Sequence, residues 1–302
     1  MTEKPLVSVI INCYNGEKYL REAIDSVISQ TYTNWEIIFW DNQSTDSTAE
    51  IVKSYNNPKI RYIYAPTHTP LGEARNLAME KASGEFICYL DADDTWVDKC
   101  LETYVNYIHK YPQCALFYSK YKAVDGERTW YSNNRKMDRV FTAEEFVKHY
   151  DVGISSAIIR KSVIKDNCIR FDKRFSLIED YDFFIRTSIW APVLSIPEVL
   201  MNYRYHEGNL SKSNKWEQEL EILCSLIVAQ EDGYENHKNF YRTIYVLKNH
   251  YSVYRYIREN RKSAAIFTIL KTCIYNFSFI RLIISVIFGE KCAKIFRSIV
   301  NN

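Results

Sequence analysis

Asp91, Asp93 and Asp94 fall within four positions of one another in "GEFICYLDADDTW", residues 84–96, directly after an apolar run. Carboxylates this close repel, and packing gives no reason to gather them at the end of a core strand. A second acidic group, Glu179, Asp180 and Asp182, stands in "IEDYDFF". Two chemistries suit such groups. One is a divalent cation: Mg2+ or Mn2+ takes oxygen ligands, typically one or two carboxylates plus phosphate oxygens. A cation removes the mutual repulsion and stabilises charge that develops on a diphosphate leaving group. The other is proton transfer. A partly buried carboxylate beside a second one has a raised pKa and becomes a better general base.

Plainer readings compete. Asp93, Asp94 or Thr95 could cap a helix beginning near Val97 and face its positive end. That accounts for one aspartate, hardly for three. A calcium loop wants glycine at its sixth position and a bidentate glutamate at its twelfth. Glu102 fills the twelfth place, but Trp96 stands in the sixth. Asp91, Asp93 and Thr95 satisfy the phosphatase pattern of a nucleophilic aspartate followed by x-Asp-x-Thr. That motif normally follows the first strand, and here three strand–helix units precede it. For residues 179–182 the plain reading is the charged first turn of a helix. There is no Walker loop and no GxGxxG.

The elements that must position these groups alternate through the first 110 residues. Strands are expected at 6–15, 35–41, 60–66 and 86–93, from β-branched runs ending in turn residues. Between and after them come helical patterns: "GEKYLREAIDSVISQ", "DSTAEIVKSY" capped by Ser44 or Thr45, "GEARNLAMEKA" and "VDKCLETYVNYIHKY". Such alternation predicts an α/β fold with a mostly parallel central sheet covered on both faces. Ligands gather at the carboxyl ends of such strands, where Asn12, Asn15, Asp41, Asn42, Asp91 and Asp93 stand. Further on, 114–124 and part of 153–164 read as strands, and Thr142 with Glu145 forms a capping box. Residues 176–190 read as a loop entering a helix, with Ile185, Ile189 and the aromatics inward. Residues 195–206 read as extended. From about 214 onward the pattern is helical, which puts a boundary near 212 and divides the chain into 1–212 and 213–302.

At 302 residues the chain is long enough for a substantial core, and its 47% hydrophobic and 25% charged residues are ordinary for a globular protein. The net charge of +2 is unevenly spread: from Arg258 onward eight Lys/Arg face two Glu. The eight cysteines are scattered without a CxxC pair, so they read as reduced thiols in a cytosolic protein rather than a zinc site or disulfide framework. No signal peptide is expected at the N-terminus. The most apolar stretch, 264–288, is interrupted by Lys271, Asn276 and Arg281, too soon for a membrane span.

Five motifs occur in order: "VSVIINCYN", "WDNQSTDST", "GEARNLAMEKASGEFICYLDADD", "EDYDFFIR" and "YRYHEGNLS". Together, over roughly residues 5–212, they resemble the family 2 glycosyltransferases, whose GT-A fold binds nucleotide-diphospho-sugars. The resemblance implies an inverting, metal-dependent glycosyltransferase. It implies donor contacts from Asn12, Tyr14, Glu17, Asp41, Asn42, Arg75 and Asp91. Asn42 replaces the second aspartate of a pair that usually meets the base. Its carbonyl accepts a uracil N–H more weakly, which favours a UDP-sugar and leaves thymidine and guanosine donors open. Arg75 is expected near the donor phosphates or base, with a surface ion pair to Glu73 or Glu80 as the plain alternative. Asp93, Asp91 and His206 are the expected ligands of Mn2+ or Mg2+. Asp94 shares the metal or caps the helix. Asp180 is the expected base, with Glu179 beside it, and Asp182 faces solvent or pairs with Arg186. Arg204, Asn209 and Ser211 would support the His206 loop, and Gly208 would hinge it.

The expected acceptor is a glycan or lipid-linked oligosaccharide in cell-surface polysaccharide synthesis. The apolar stripe and basic residues of 258–302 fit a helix lying on a membrane surface, at the inner face of the plasma membrane. The tyrosines and arginines of 241–258 fit ordinary helix packing equally well. Nothing before the tail points to nucleic acid. Two other functions remain open on the residues alone. One is a phosphatase with Asp91 as nucleophile, and the other is a non-catalytic nucleotide-sugar binder.

Overall fold

Strand β1 (Val7–Cys13) is buried almost throughout because both of its faces are covered. Val7, Val9, Ile11 and Cys13 pack into one core with α1 (Leu20–Ile28), while Ile10 joins the core on the other side. β2 (Trp35–Asp41) and β3 (Ile60–Tyr64) extend the sheet in parallel on one side of β1. β4 (Phe86–Tyr89) is parallel on the other. The crossovers are α1, α2 (Thr48–Ser54) and α3 (Leu71–Met79). This is the computed structural model of the chain, and it describes residues 4–126 and 128–209. Beyond these it describes positions 219, 220, 222, 223, 240, 243–245, 249, 252, 256, 261, 263–265, 267 and 268.

After β4 the sheet becomes mixed. β5 (Thr95–Trp96) is a two-residue strand, followed by α4 (Cys100–Lys110) and β6 (Leu116–Asp125). β7 (Arg128–Tyr131) turns back antiparallel to β6. β8 (Arg139–Phe141) and α5 (Ala143–Lys148) lead to a 3-10 turn at Ile154–Ser156, then to β9 (Ala157–Arg160) and α6 (Lys161–Asp166). β9 runs antiparallel to both β4 and β6. α7 (Glu179–Ser188) precedes β10 (Val193–Arg204), which lies parallel to β6 and antiparallel to β5 and β8. The strand order is β3-β2-β1-β4-β9-β6-β10-β5.

Several expectations meet the structure closely. β2 spans residues 35–41 as expected, and Thr142 with Glu145 closes a reciprocal capping box at α5. Others shift. α2 begins at Thr48, so Ser44 and Thr45 do not cap it. The Ser44 hydroxyl instead accepts the Asn15 N–H, and the Thr45 N–H donates to Asn15 Oδ1, joining the loops after β1 and β2. α4 starts at Cys100 rather than near Val97, because residues 95–96 first pair with β10. Ile185 is buried as expected, whereas Ile189 is only partly so. The described cysteines, Cys13, Cys88, Cys100, Cys114 and Cys168, carry free thiols.

The chain divides into two compact units, Met1–Lys212 and Ser213–Asn302. In the second, every described position but 261 is helical, with Leu220, Leu223, Phe240, Ile244 and Ala265 buried. Among the described residues no helix is long and apolar enough to cross a membrane. Ser211 and nearly all of 258–302, to which the membrane-surface role was assigned, lie outside the described residues.

One side chain fixes the approach to α7. Asn76 on α3 donates from Nδ2 to the Phe171 carbonyl and accepts the Phe171 N–H at Oδ1, both at 2.9 Å and both buried. Asn76→Ala leaves two buried backbone groups unpaired, so we expect a loss of about 2–4 kcal/mol in urea unfolding at unchanged m-value. An unchanged midpoint would show that this loop does not lean on Asn76.

Candidate active site

The aspartate turn is held at both ends. The Leu90 N–H bonds Ile10 O at 2.9 Å, keeping the chain on the sheet to its last apolar residue. The chain then turns, with the Asp94 N–H on Asp91 O at 3.1 Å, and β5 pins the far side to Met201 and Asn202. Trp96 Nε1 donates to Ser155 O at 2.7 Å and anchors that strand in the core. The three aspartates therefore meet three environments.

Asp94 is 1% exposed and accepts the Arg204 N–H at 3.1 Å. Burial first, then Asp91 and Asp93, push its pKa well above the usual carboxylate range, favouring the neutral acid. Its work is to tie β10 to the turn. The helix-cap alternative fails on the same facts, since the residue before α4 is Lys99. Asp93 Oδ2 meets His206 Nε2 at 2.8 Å. The Gly208 N–H donates to His206 Nδ1 at 3.1 Å, which leaves the ring proton on Nε2 to donate to Asp93. Asn209 Oδ1 accepts the His206 N–H, and Arg204 Nε donates to Asp93 O at 3.2 Å, so the loop after β10 is fastened to the turn. A Cβ on Gly208 would press within 3.2 Å of the imidazole.

Asp91 faces Arg75. The guanidinium is 3% exposed and reaches two carboxylates: Nη2 to Asp91 Oδ1 at 3.1 Å, and Nη1 to Glu179 Oε1 at 2.7 Å. Burial opposes the charge on Arg75, but Asp91, Glu179 and Asp180 outweigh it and raise its pKa. Arg75 lines the cavity, but the alternative of a surface ion pair does not hold. It pairs with neither Glu73 nor Glu80, and both terminal nitrogens are engaged with carboxylates inside the protein. Arg75 is a strut between the end of β4 and the start of α7.

Asp180 adjoins Glu179 and lines the same cavity, a space of about 690 Å³. Burial, then the charge of Glu179, push its pKa up to about 7, while Arg75 opposes the shift. An acid whose pKa rises on folding contributes most stability below its ordinary value of 3.8 and loses that contribution as pH rises through about 7. Its ionised form above that pH is thus held against the preference of the fold. Asp182 is buried and pairs with Arg186, the second of its two expected settings.

The cavity is lined by Asn12, Tyr14, Arg75, Asp91, Asp93, Glu179, Asp180 and His206. Glu17, Asp41 and Asn42 are not among its walls. Asp41 accepts the Ser44 N–H at 2.7 Å and the Tyr62 hydroxyl at 2.6 Å, which engages both oxygens. Asn42 closes a ring of bonds with Thr69, donating to its carbonyl at 2.8 Å and accepting its N–H at 3.2 Å. Glu17 accepts the Ser47 N–H at 2.9 Å. These three hold the loops through the bonds just given. Asn12 is the reverse: among the described residues neither its Oδ1 nor its Nδ2 has a hydrogen-bond partner, although both are buried. Orphaned polar atoms on a cavity wall are what a ligand contact leaves behind.

Sequence reasoning missed His68, whose ring meets Tyr14 edge to face at 4.5 Å and whose Nδ1 bonds Asn42 O at 2.8 Å. The signal was present, because His68 follows the carboxyl end of β3. Tyr14 itself is 55% exposed, an aromatic face open at the cavity mouth.

The donor set fits a hard divalent cation. Asp93 and Asp91 offer carboxylate oxygens, and His206 offers its Nε2 lone pair in the tautomer that carries the ring proton on Nδ1. Among the described residues no three His, Cys, Asp or Glu side chains form a ready-made shell, so water and ligand oxygens would complete it.

The glycosyl transferase family 2 profile matches residues 8–167, more than half of the chain. The chain belongs to glycosyl transferase family 2. It is therefore a glycosyltransferase, and both the phosphatase and the non-catalytic readings fall away. A UDP-Glc:α-D-GlcNAc-diphosphoundecaprenol β-1,3-glucosyltransferase of Escherichia coli is 27% identical over 217 residues, 70% of this chain and 82% of the relative. Staphylococcus aureus TarS, solved with UDP-GlcNAc, superposes with a TM-score of 0.67 at 19% identity, covering 87% of this chain and 88% of that one. A mannosyltransferase of Pyrobaculum calidifontis, solved with GDP-Man and Mn2+, gives 0.55 at 15% identity over 90% and 76% of the two chains. These likenesses establish the GT-A fold of this family 2 member.

Replacing Arg75 by Met leaves the buried Glu179, and the partly exposed Asp91 beside it, without their cation. We expect a loss of about 3–5 kcal/mol at pH 8 in urea unfolding. The loss shrinks toward pH 5, because carboxylates without a cation partner take up protons more readily. Arg75→Met/Glu179→Gln should recover part of it. A single variant as stable as the parent would refute the strut.

Proposed function

We propose that this glycosyltransferase moves a sugar, with inversion, from a uridine diphosphate donor to a hydroxyl of a glycan carried on a lipid. One observation carries the reading: a carboxylate with its pKa near neutrality, Asp180, opens into the cavity that Asp91, Asp93 and His206 also line. A group so tuned takes a proton from a hydroxyl at physiological pH. A single displacement needs one base on the acceptor side and attack opposite the leaving diphosphate, so the anomeric configuration inverts.

The residues divide the work. Tyr14 with His68 supports the base of the nucleotide by stacking, and Asn12 bonds the nucleoside. Arg75 keeps Asp91 and Glu179 in place. Asp180 accepts the proton, and its neighbour Glu179 keeps its pKa high. Asp93, Asp91 and His206 would hold Mn2+ or Mg2+. When bound, such a cation supplies Lewis-acid stabilisation of the charge on the leaving diphosphate. The donor and the lipid-linked acceptor follow the E. coli relative, whose name gives a UDP-Glc donor and a diphosphoundecaprenol acceptor. Transfer is assigned to a domain of residues 1–212, which holds every residue of the site, as distinct from 213–302.

Asp180→Asn is the deciding variant. Transfer should fall at least about 100-fold while the thermal shift produced by UDP persists. In the parent, kcat/KM should rise with pH and level off above about 7. A flat profile, or full transfer by the variant, removes Asp180 as base.

Metal dependence has its own test. Chelation should abolish both transfer and the UDP-induced thermal shift, and Mn2+ should restore them. His206→Ala and Asp93→Asn should each raise the Mn2+ concentration for half-restoration by about tenfold or more. An undiminished thermal shift in excess chelator would end the metal assignment.

A further inference from the structure

The floor of the cavity continues onto a face of the sheet that the donor reading does not use. On β10, Met201 and Tyr203 pair in register with Tyr121 and Ala123 of β6. On the far side of β6, Ala123 pairs with Trp130 of β7. Partners in register, and residues two apart on one strand, share a face. Tyr121, Met201, Tyr203, Ala123 and Trp130 therefore stand on one surface, and the first three line the cavity. Trp130 lies two strand spacings from β10, about 10 Å away.

Trp130 is 42% exposed, on an edge strand whose four residues all face solvent. Its ring meets Tyr205 at 5.7 Å with 73° between the planes. Rings meeting edge to face do not cover each other as stacked rings would. Ala123, the register partner of Trp130, is fully buried. Tyr121 and Tyr203 continue the aromatic row inward at 6.0 Å. Each of these tyrosines adds a hydroxyl to the apolar row, and Arg128, two positions before Trp130, shares its face. An aromatic face rimmed by hydroxyls and polar side chains suits a pyranose. One side of such a ring is a sheet of C–H bonds carrying partial positive charge, which the negative face of an indole attracts, and its rim is hydroxyl. A lipid or protein surface would call for a broader apolar patch than this single row.

We propose that Trp130, backed by Tyr205, is a subsite for a pyranose ring of the acceptor glycan, set back from the hydroxyl that receives the new sugar. The occupant follows from continuity: the row starts at the cavity wall, where Tyr121 and Tyr203 lie, and runs outward along the same face. The inference rests on the acceptor reading of the preceding section. It adds that the enzyme holds more of the acceptor than the reacting unit, so a longer glycan is bound more tightly than a single sugar.

Ligand-observed saturation-transfer NMR on the full chain tests it, with tetrasaccharides of β-1,4-linked GlcNAc and of β-1,3-linked glucose as probes. The UDP-induced thermal shift serves as control. At least one tetrasaccharide should bind, more tightly than its monosaccharide. Trp130→Ala should weaken that binding about fivefold or more. Trp130→Leu keeps apolar packing without a π face and should behave like Ala, while Trp130→Tyr should retain most of the binding. A UDP shift with no tetrasaccharide binding, or equal binding by the parent and Trp130→Leu, overturns the subsite alone. Absence of any UDP shift in the parent overturns the donor reading and the subsite with it.

Discussion

A single guanidinium joins the two halves of the site. Arg75 is almost wholly buried, and it spans from the end of a parallel strand to the first turn of a helix that lies 104 positions from Arg75 itself. Removing any charge from water is unfavourable, so neither Arg75 nor its partners would be stable there alone. Together they form a closed set: one cation, two carboxylates, two short bonds. Everything else in the cavity depends on that set, because it decides how far Asp180 sits from the aspartate turn. Without it, Asp91 and Glu179 would face each other and Asp180 without the cation that pairs with both of them.

The sheet explains why the set can form. The parallel strands bring their carboxyl ends to one edge, where Asn12 stands near the end of β1 and the segments after β3 and β4 carry His68 and Asp91. The mixed half then folds a long strand, β10, back beside β6, and the two residues of β5 clip the aspartate turn to it. Asp94 is the buried acid that makes this clip hold, and its raised pKa is the mark of that structural task rather than of catalysis. Of three adjacent aspartates, one fastens the backbone, one meets a histidine and one meets an arginine. Their clustering follows from three demands that meet at one turn.

Much of this was legible in the sequence where the determinants are local. β2 and the Thr142 capping box are short-range features, and both occur where the pattern put them. The aspartate turn and the Glu179–Asp180 pair were legible as acidic clusters with no packing rationale. The remainder depends on contacts between distant residues. The partners of Arg75 lie 16 and 104 positions away, so nothing near it in sequence announces a strut. Asp41 and Asn42 stand out in the sequence as polar residues at a strand end. Their engagement by Tyr62 and Thr69 depends on how the next loop folds back. β5 is two residues long, too short for any periodicity, and it exists only because β10 is there to pair with it.

The chemistry and the stability of this fold pull against each other at Asp180. Burial and a neighbouring glutamate hold its pKa near 7, which makes a competent base and also makes the ionised enzyme less stable than the protonated one. Arg75 limits that conflict, because its charge lowers the same pKa that burial raises. A more thorough neutralisation would stabilise the fold and leave a weak base. A lesser one would leave the carboxyl protonated when the acceptor arrives. The same reasoning explains why both terminal nitrogens of the guanidinium are directed at Asp91 and Glu179, and neither at Asp180. The strut balances the neighbours of the base and leaves the base itself free to take its proton.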